Sequence, residues 1–291
     1  MNKQAAPLGR DPLVTAAWLH GNLDKVVLLD ATYFFPTDRD TSVKAYEEKH
    51  ISGARYFAID EVCDTSNPLP HMMPSLELFA EKVGALGIGE DDSVVVYDRS
   101  SNHFSAPRVW KTFVAFGHTN VFVLNGGLAG WEAAGYSVTD DQTAFITKTY
   151  SPKLRFASGF HALEQVKDIV TQPGSVEQIL DARAAGRFEG AEPELRPGLR
   201  TGHIPGARNL PFAQLTGPDG QFVAPDQIRQ LMSAAGIDPA KPVVTTCGSG
   251  MTACVLSLAL ARIGSGSSVY DGSWTEWGGN PDMPVVTGKA D

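Results

Sequence analysis

The sequence predicts an α/β protein of two similar domains in tandem, each a mainly parallel sheet flanked by helices. Three observations carry that reading. The chain repeats itself: Leu28-Leu29-Asp30-Ala31 is followed by His50-Ile51-Ser52-Gly53-Ala54-Arg55, and Ile179-Leu180-Asp181-Ala182-Arg183 by His203-Ile204-Pro205-Gly206-Ala207-Arg208. The gaps from aspartate to histidine are 50 − 30 = 20 and 203 − 181 = 22 residues. Short apolar runs alternate with helical patterns and glycine turns, the pattern of βαβ units on a parallel sheet. Between the halves lies a polar segment, residues 139–158, broken at Ser151-Pro152 and without helical periodicity. Domains are therefore expected at 10–138 and 159–291, with 139–158 as linker.

Each half continues in the same order. A helix ends at glycine in Leu86-Gly87-Ile88 and Ala235-Gly236-Ile237. A buried strand follows in Val94-Val95-Val96-Tyr97 and Val243-Val244-Thr245-Thr246, then a Gly-Trp element in Gly126-Gly127-Leu128-Ala129-Gly130-Trp131 and Asp271-Gly272-Ser273-Trp274. His50, His203, Asp30 and Asp181 recur in both halves, so a role in the fold is expected of them, and packing is expected of Trp131 and Trp274.

The 291 residues suffice for two cores. The composition, 43% hydrophobic and 20% charged, contains no apolar run long enough to cross a membrane, and the first residues carry no apolar export signal. A cytoplasmic protein is expected. The net charge of −9, without a lysine or arginine cluster, argues against nucleic acid as a partner. The three cysteines, Cys63, Cys247 and Cys254, match no zinc spacing, which predicts no metal and a reducing compartment with one working thiol.

That thiol is Cys247. A β-branched strand ends on it, Gly248 and Gly250 permit a tight turn, and a helical pattern begins near Met251. Such a turn can aim successive backbone N–H groups at one point and add the positive end of a helix, favouring an anion there. A free thiol has a pKa of about 8.5, so a site that favours the anion activates it. The alternative is a core cysteine, which does not need a Gly-x-Gly turn after it. A cysteine phosphatase requires arginine five residues on, where this chain has Ala253. The first half places Asp98, Arg99 and Ser100 where the second has Cys247 and its glycines, and so lacks the nucleophile. In parallel sheets ligands bind beyond the carboxyl ends of the strands, so the first half is expected to help wall a crevice at Cys247.

Together the repeated motifs, Ser105-Ala106-Pro107-Arg108-Val109-Trp110, the cysteine loop and Tyr270-Asp271-Gly272-Ser273-Trp274 resemble the tandem rhodanese family of sulfurtransferases over nearly the whole chain. Cys-Gly-Ser-Gly-Met-Thr is similar to the loop of the 3-mercaptopyruvate branch, with Met251 a conservative departure; the thiosulfate branch carries basic residues there. Thiosulfate is a dianion with a charged leaving group, a poor match for an uncharged loop.

The resemblance implies transfer of sulfur from 3-mercaptopyruvate through a Cys247 persulfide to a thiol or cyanide acceptor such as thioredoxin or a small thiol, without cofactor. It implies substrate binding by Arg187 and Arg196 with Gly248, Gly250, Met251 and Thr252, and a proton relay of Ser249, His71 and Asp60. The stretch carrying Asp60 and His71 shows no counterpart in the second half, which fits a cleft-facing role. Two alternatives stay open: a thiosulfate sulfurtransferase, and a non-catalytic persulfide carrier or binding module. Ordinary pairing with Glu189, Glu192 or Glu194 is the other reading of the two arginines.

Overall fold

The computed structural model describes residues 11–35, 39–153, 159–172 and 174–290; residues 10, 36–38, 173 and 291 of the expected domains and 154–158 of the expected linker lie outside the described residues. The first half runs β1 (Leu13–Val14), α1 (Ala16–His20), β2 (Val26–Asp30), α2 (Arg39–Glu48), β3 (Ala54–Tyr56), α3 (Leu76–Ala85), β4 (Ser93–Tyr97), α4 (Ala106–Ala115), β5 (Val121–Leu124) and α5 (Gly127–Ala133). The second runs β6 (Phe160–His161), α6 (Leu163–Thr171), β7 (Gln178–Asp181), α7 (Ala185–Glu189), β8 (Arg208–Asn209), α8 (Pro225–Ala234), β9 (Val243–Thr246), α9 (Ala253–Arg262), β10 (Ser267–Tyr270) and α10 (Ser273–Trp277).

Each half builds a five-stranded sheet with one order, β1-β5-β4-β2-β3 and β6-β10-β9-β7-β8, and every pairing between these strands is parallel. The apolar runs at β2, β4, β7 and β9 sit in the middle because a central parallel strand is covered on both faces. Alternate residues face opposite sides: Val94 and Val96 join one core while Val95 and Tyr97 join another. The first of these cores runs without interruption into the second half, taking in Val109 and Phe113 of α4 and Val255 and Leu258 of α9. The halves are thus joined by buried apolar surface as well as by sequence.

The repeated residues hold the fold, as the sequence implies. His50 stacks on Tyr46 and His203 on Phe188, each with Nδ1 2.8 Å from the carbonyl of its stacking partner. Asp30 accepts from the Thr32 amide and pairs with Arg99, while Asp181 accepts from the Arg183 amide and side chain. Trp131 and Trp274 are buried, their ring N–H groups donating to the Ser137 and Arg200 carbonyls.

One expectation is corrected. The stretch with Asp60 and His71, between β3 and α3, does have a counterpart, the segment 210–224 between β8 and α8. Each crosses to the other half. From the first, the Met73 amide donates to Asp271 (2.7 Å); from the second, the Phe222 amide donates to Asn125 (2.8 Å) and the Gly220 carbonyl lies 3.0 Å from His103 Nε2. The two segments share a place in the topology but no sequence, because most of these contacts use backbone atoms.

Candidate active site

β9 delivers Cys247 to the edge of the shared core, where it is only 2% exposed. The register fixes its counterpart: Asp30 pairs with Tyr97 and Asp181 with Thr246, so the next residues, Asp98 and Cys247, are equivalent. After Cys247 the chain turns through Gly250 at φ +72°, a conformation that favours glycine, and enters α9 behind Thr252.

Three carbonyls of this turn are bound by protein donors. Trp274 N–H donates to Cys247 O (2.9 Å); the Thr275 amide and hydroxyl donate to Gly248 O (2.9 and 2.6 Å); and Arg108 Nη1 and the Cys254 thiol donate to Gly250 O (3.3 and 3.2 Å). A trans peptide points its N–H away from its carbonyl. The amides of Gly248, Ser249 and Met251 therefore face the other way, and among the described residues none of them has an acceptor. In the first half a carboxylate collects donors instead: Asp98 accepts from the amide of Ser100 (2.9 Å), the counterpart of Ser249, and from those of Ser105 (2.9 Å) and Ala106 (2.7 Å) at the start of α4. A carboxylate fills the place in one half that the thiol holds in the other.

Arg187, on α7, has Nη2 within 3.4 Å of where a Cβ on Gly248 would stand. It also pairs with Glu194 (2.5 Å), whose other oxygen takes Arg183 (2.6 Å), itself held by Asp181. Pairing with Glu194 and proximity to the loop thus coexist; the buried carboxylate orients the guanidinium and leaves it 17% exposed. Arg196 reaches across to the first half, its guanidinium 4.7 Å from the ring centroid of Phe35, with no ion pair among the described residues.

His71 and Asp60 come together, Nδ1 to Oδ1 3.0 Å, with the carboxylate off the ring N–H direction, so the pair is close without forming a linear hydrogen bond. The His71 ring is buried and the Asp60 side chain 40% exposed. Tyr33 stands edge-on to His71 at 5.0 Å; burial, and then the Asp60 charge, push its hydroxyl up to about 12. Ser249 is buried and has no side-chain hydrogen bond to His71. Met251 packs its side chain into the shared core, and Thr252 precedes α9 without a side-chain capping bond.

Arg108 is the residue the sequence reasoning left without a role. From α4 of the first half its guanidinium reaches Gly250 O, the His71 carbonyl and Asp271 Oδ1 (2.9 Å). An arginine among apolar residues of a buried helix was the available signal. The other cysteines are buried: burial pushes Cys63 up and Cys254 up to about 12. Among the described residues no group of three His, Cys, Asp or Glu could hold a metal, and no helix is long and apolar enough to cross a membrane.

Comparison with known proteins accords with this architecture. The rhodanese-like domain matches twice, at residues 15–134 and 162–280. The chain is 37% identical to the Arabidopsis thaliana thiosulfate/3-mercaptopyruvate sulfurtransferase 1, mitochondrial, over 94% of this chain and 78% of that one. It is 38% identical to the 3-mercaptopyruvate sulfurtransferase of Escherichia coli (strain K12), over 94% and 96% respectively. The crystal structure of Tum1 from Saccharomyces cerevisiae superposes with a TM-score of 0.87 at 28% identity, covering 98% of this chain and 100% of that one. With both halves matched, the chain belongs to the rhodanese family, as two rhodanese-like domains in tandem.

Proposed function

We propose that this chain is a sulfurtransferase that takes sulfur from 3-mercaptopyruvate, carries it as a persulfide on Cys247, and passes it to a thiol or cyanide, releasing pyruvate. The observation that carries the reading is the cysteine turn, whose carbonyls are tied away from its amides and which has no charged side chain of its own. The names of the relatives support the donor.

In this reading Arg187 and Arg196 bind the donor's carboxylate and ketone oxygens. The Cys247 thiolate attacks the donor sulfur, the S–S bond forms, and the carbon–sulfur bond breaks with its electron pair moving to carbon as the enolate of pyruvate. The unpaired amides of Gly248, Ser249 and Met251 stabilise the sulfur anion, and Thr252 and Gly250 shape the turn. A proton then reaches the enolate carbon. Ser249, His71 and Asp60 are proposed to supply it, the imidazole giving and retaking the proton while the carboxylate orients it. Ser249 and His71 are not bonded to each other, so in the proposal the bound donor completes the relay. Attack by an acceptor thiolate or cyanide on the outer sulfur restores the Cys247 thiolate.

The proposed acceptors are thioredoxin, a small thiol or cyanide, and the proposed setting is the cytoplasm, supported by three free cysteines. Cell fractionation tests that against the mitochondrion named for the Arabidopsis relative. The domain limits 10–138 and 159–291, joined by 139–158, are kept as part of the proposal. A thiosulfate sulfurtransferase is the second reading, favoured by the double name of the Arabidopsis relative. Comparing kcat/KM for the two donors decides: a higher value for 3-mercaptopyruvate supports the proposal, a higher value for thiosulfate replaces it, and turnover of neither favours a persulfide carrier.

A further inference from the structure

We propose that Arg108, in the half without the nucleophile, is a positioning residue for the chemistry at Cys247, acting by fixing the orientation of the peptide between Gly250 and Met251. The inference rests on the reading of Cys247 as the sulfur-bearing nucleophile. The buried guanidinium stacks 4.5 Å from the Phe160 ring centroid and spreads over acceptors from three separate segments: Gly250 O of the cysteine turn, the His71 carbonyl, and Asp271 Oδ1. The other oxygen of Asp271 takes the Met73 amide, two residues beyond His71. A planar fork of five donors can serve acceptors set apart in this way; an ammonium group on a flexible stem cannot reproduce it.

The chemical consequence follows from peptide planarity. Because Arg108 draws the Gly250 carbonyl to itself, the Met251 N–H points to the opposite side, where no described residue accepts it. Gly250 lies at φ +72° and has no Cβ to restrict the peptide that follows, so its own backbone does not select between the two orientations. Flipping that peptide would replace an amide donor by a carbonyl oxygen facing the sulfur anion. Cys254 also donates to Gly250 O, but a thiol is a weak donor and Arg108 carries the charge. The same guanidinium holds the carbonyl of His71, which sits at φ +60°, so it ties together the turn that bears the nucleophile and the loop that bears the relay.

The test uses the full chain with two variants. In Arg108→Ala, Asp271 loses its partner; in the double variant Arg108→Met with Asp271→Asn, no buried charge is left unpaired, and thermal unfolding verifies that it folds. Two rates are read: alkylation of Cys247 by iodoacetamide at neutral pH, which needs no donor, and single-turnover persulfide formation at saturating 3-mercaptopyruvate. Both are expected to fall about 100-fold, the usual effect of one lost donor at an anionic centre, with the half-saturating donor concentration changed less than about threefold. Millimolar guanidinium is expected to restore about tenfold in Arg108→Ala, since it can enter the vacated space, but not in the double variant, where methionine fills it. Unchanged rates in a folded variant overturn the proposal, as does a loss in Arg108→Ala that guanidinium leaves untouched. Should Arg108→Ala not fold, the double variant decides alone. A wild type inert to 3-mercaptopyruvate whose variants still lose alkylation overturns the donor reading and leaves the role of Arg108 standing.

Discussion

Asp98 follows β4 as Cys247 follows β9, and its carboxylate takes the Ser100, Ser105 and Ala106 amides, whereas the amides of Gly248, Ser249 and Met251 face no described acceptor. The first half is therefore an internal control for the second. Both turns collect backbone donors at the carboxyl end of a central strand, and an anion belongs at each. One anion is built in. The other is the sulfur that the proposed reaction brings.

If Asp98 serves only the fold, Asp98→Ala should cost stability without touching the chemistry. The buried amides of Ser105 and Ala106 and the half-buried amide of Ser100 lose a carboxylate acceptor, which corresponds to about 2–4 kcal/mol. Urea unfolding checks the loss, and kcat per folded molecule should stay within about twofold, because Asp98 touches no residue of the Cys247 turn. A collapse of kcat in the folded variant would mean that the two turns are coupled.

The arginines should separate the donors. Arg187→Ala is expected to lower kcat/KM for 3-mercaptopyruvate by about 100-fold, and Arg187→Lys nearly as much, because one point charge does not replace the fork held by Glu194. Thiosulfate turnover should fall less. Equal losses for both donors would remove the reason for assigning Arg187 to the carboxylate.

The two glycines of the turn should differ. A Cβ on Gly248 meets Arg187 at an ordinary 3.4 Å, whereas on Gly250 it meets the Asp271 carbonyl at 2.8 Å and Arg108 at 2.9 Å, with φ at +72°. Gly248→Ala should fold normally and act mainly on donor affinity; Gly250→Ala should lose about 100-fold or more in kcat. Steady-state kinetics of both variants, beside their unfolding midpoints, check the contrast.

Lys111 gives a pH dependence of stability. It is buried on α4 with Nζ 2.6 Å from the Ser267 carbonyl, and burial lowers its pKa to about 8. The unfolded chain then binds more protons than the folded one between about pH 8 and the ordinary lysine value near 10.4, so stability rises with pH through that window. Relative to Lys111→Met, the wild type should gain about 1 kcal/mol between pH 7 and 9, read by urea unfolding at the two values. A constant difference would show that Lys111 titrates in the same range folded and unfolded.

How much could be read in advance follows from where the information lies. The fold was legible because duplication wrote Asp-Ala and His-Ile-x-Gly-Ala twice, and the strand register matches Asp30 with Asp181 residue for residue. Cys247 was legible because a glycine turn after a cysteine has few other uses. Arg187 and Arg196 came only through resemblance, since surface pairing with Glu194 predicts the same residues. Arg108 escaped because it acts mostly through backbone carbonyls, Gly250 and His71, which leave no mark on the sequence. For the same reason the segments 57–75 and 210–224, which cap each other's halves, did not reveal their equivalence.

The central claim is that sulfur passes through Cys247. Incubation of the full chain with 3-mercaptopyruvate and no acceptor, followed by mass analysis of the peptides, tests it most directly. The account expects one pyruvate released per chain and a gain of about 32 Da, one sulfur atom, on the peptide carrying Cys247, removed again by cyanide. Sustained pyruvate release with an unmodified Cys247 peptide would contradict it.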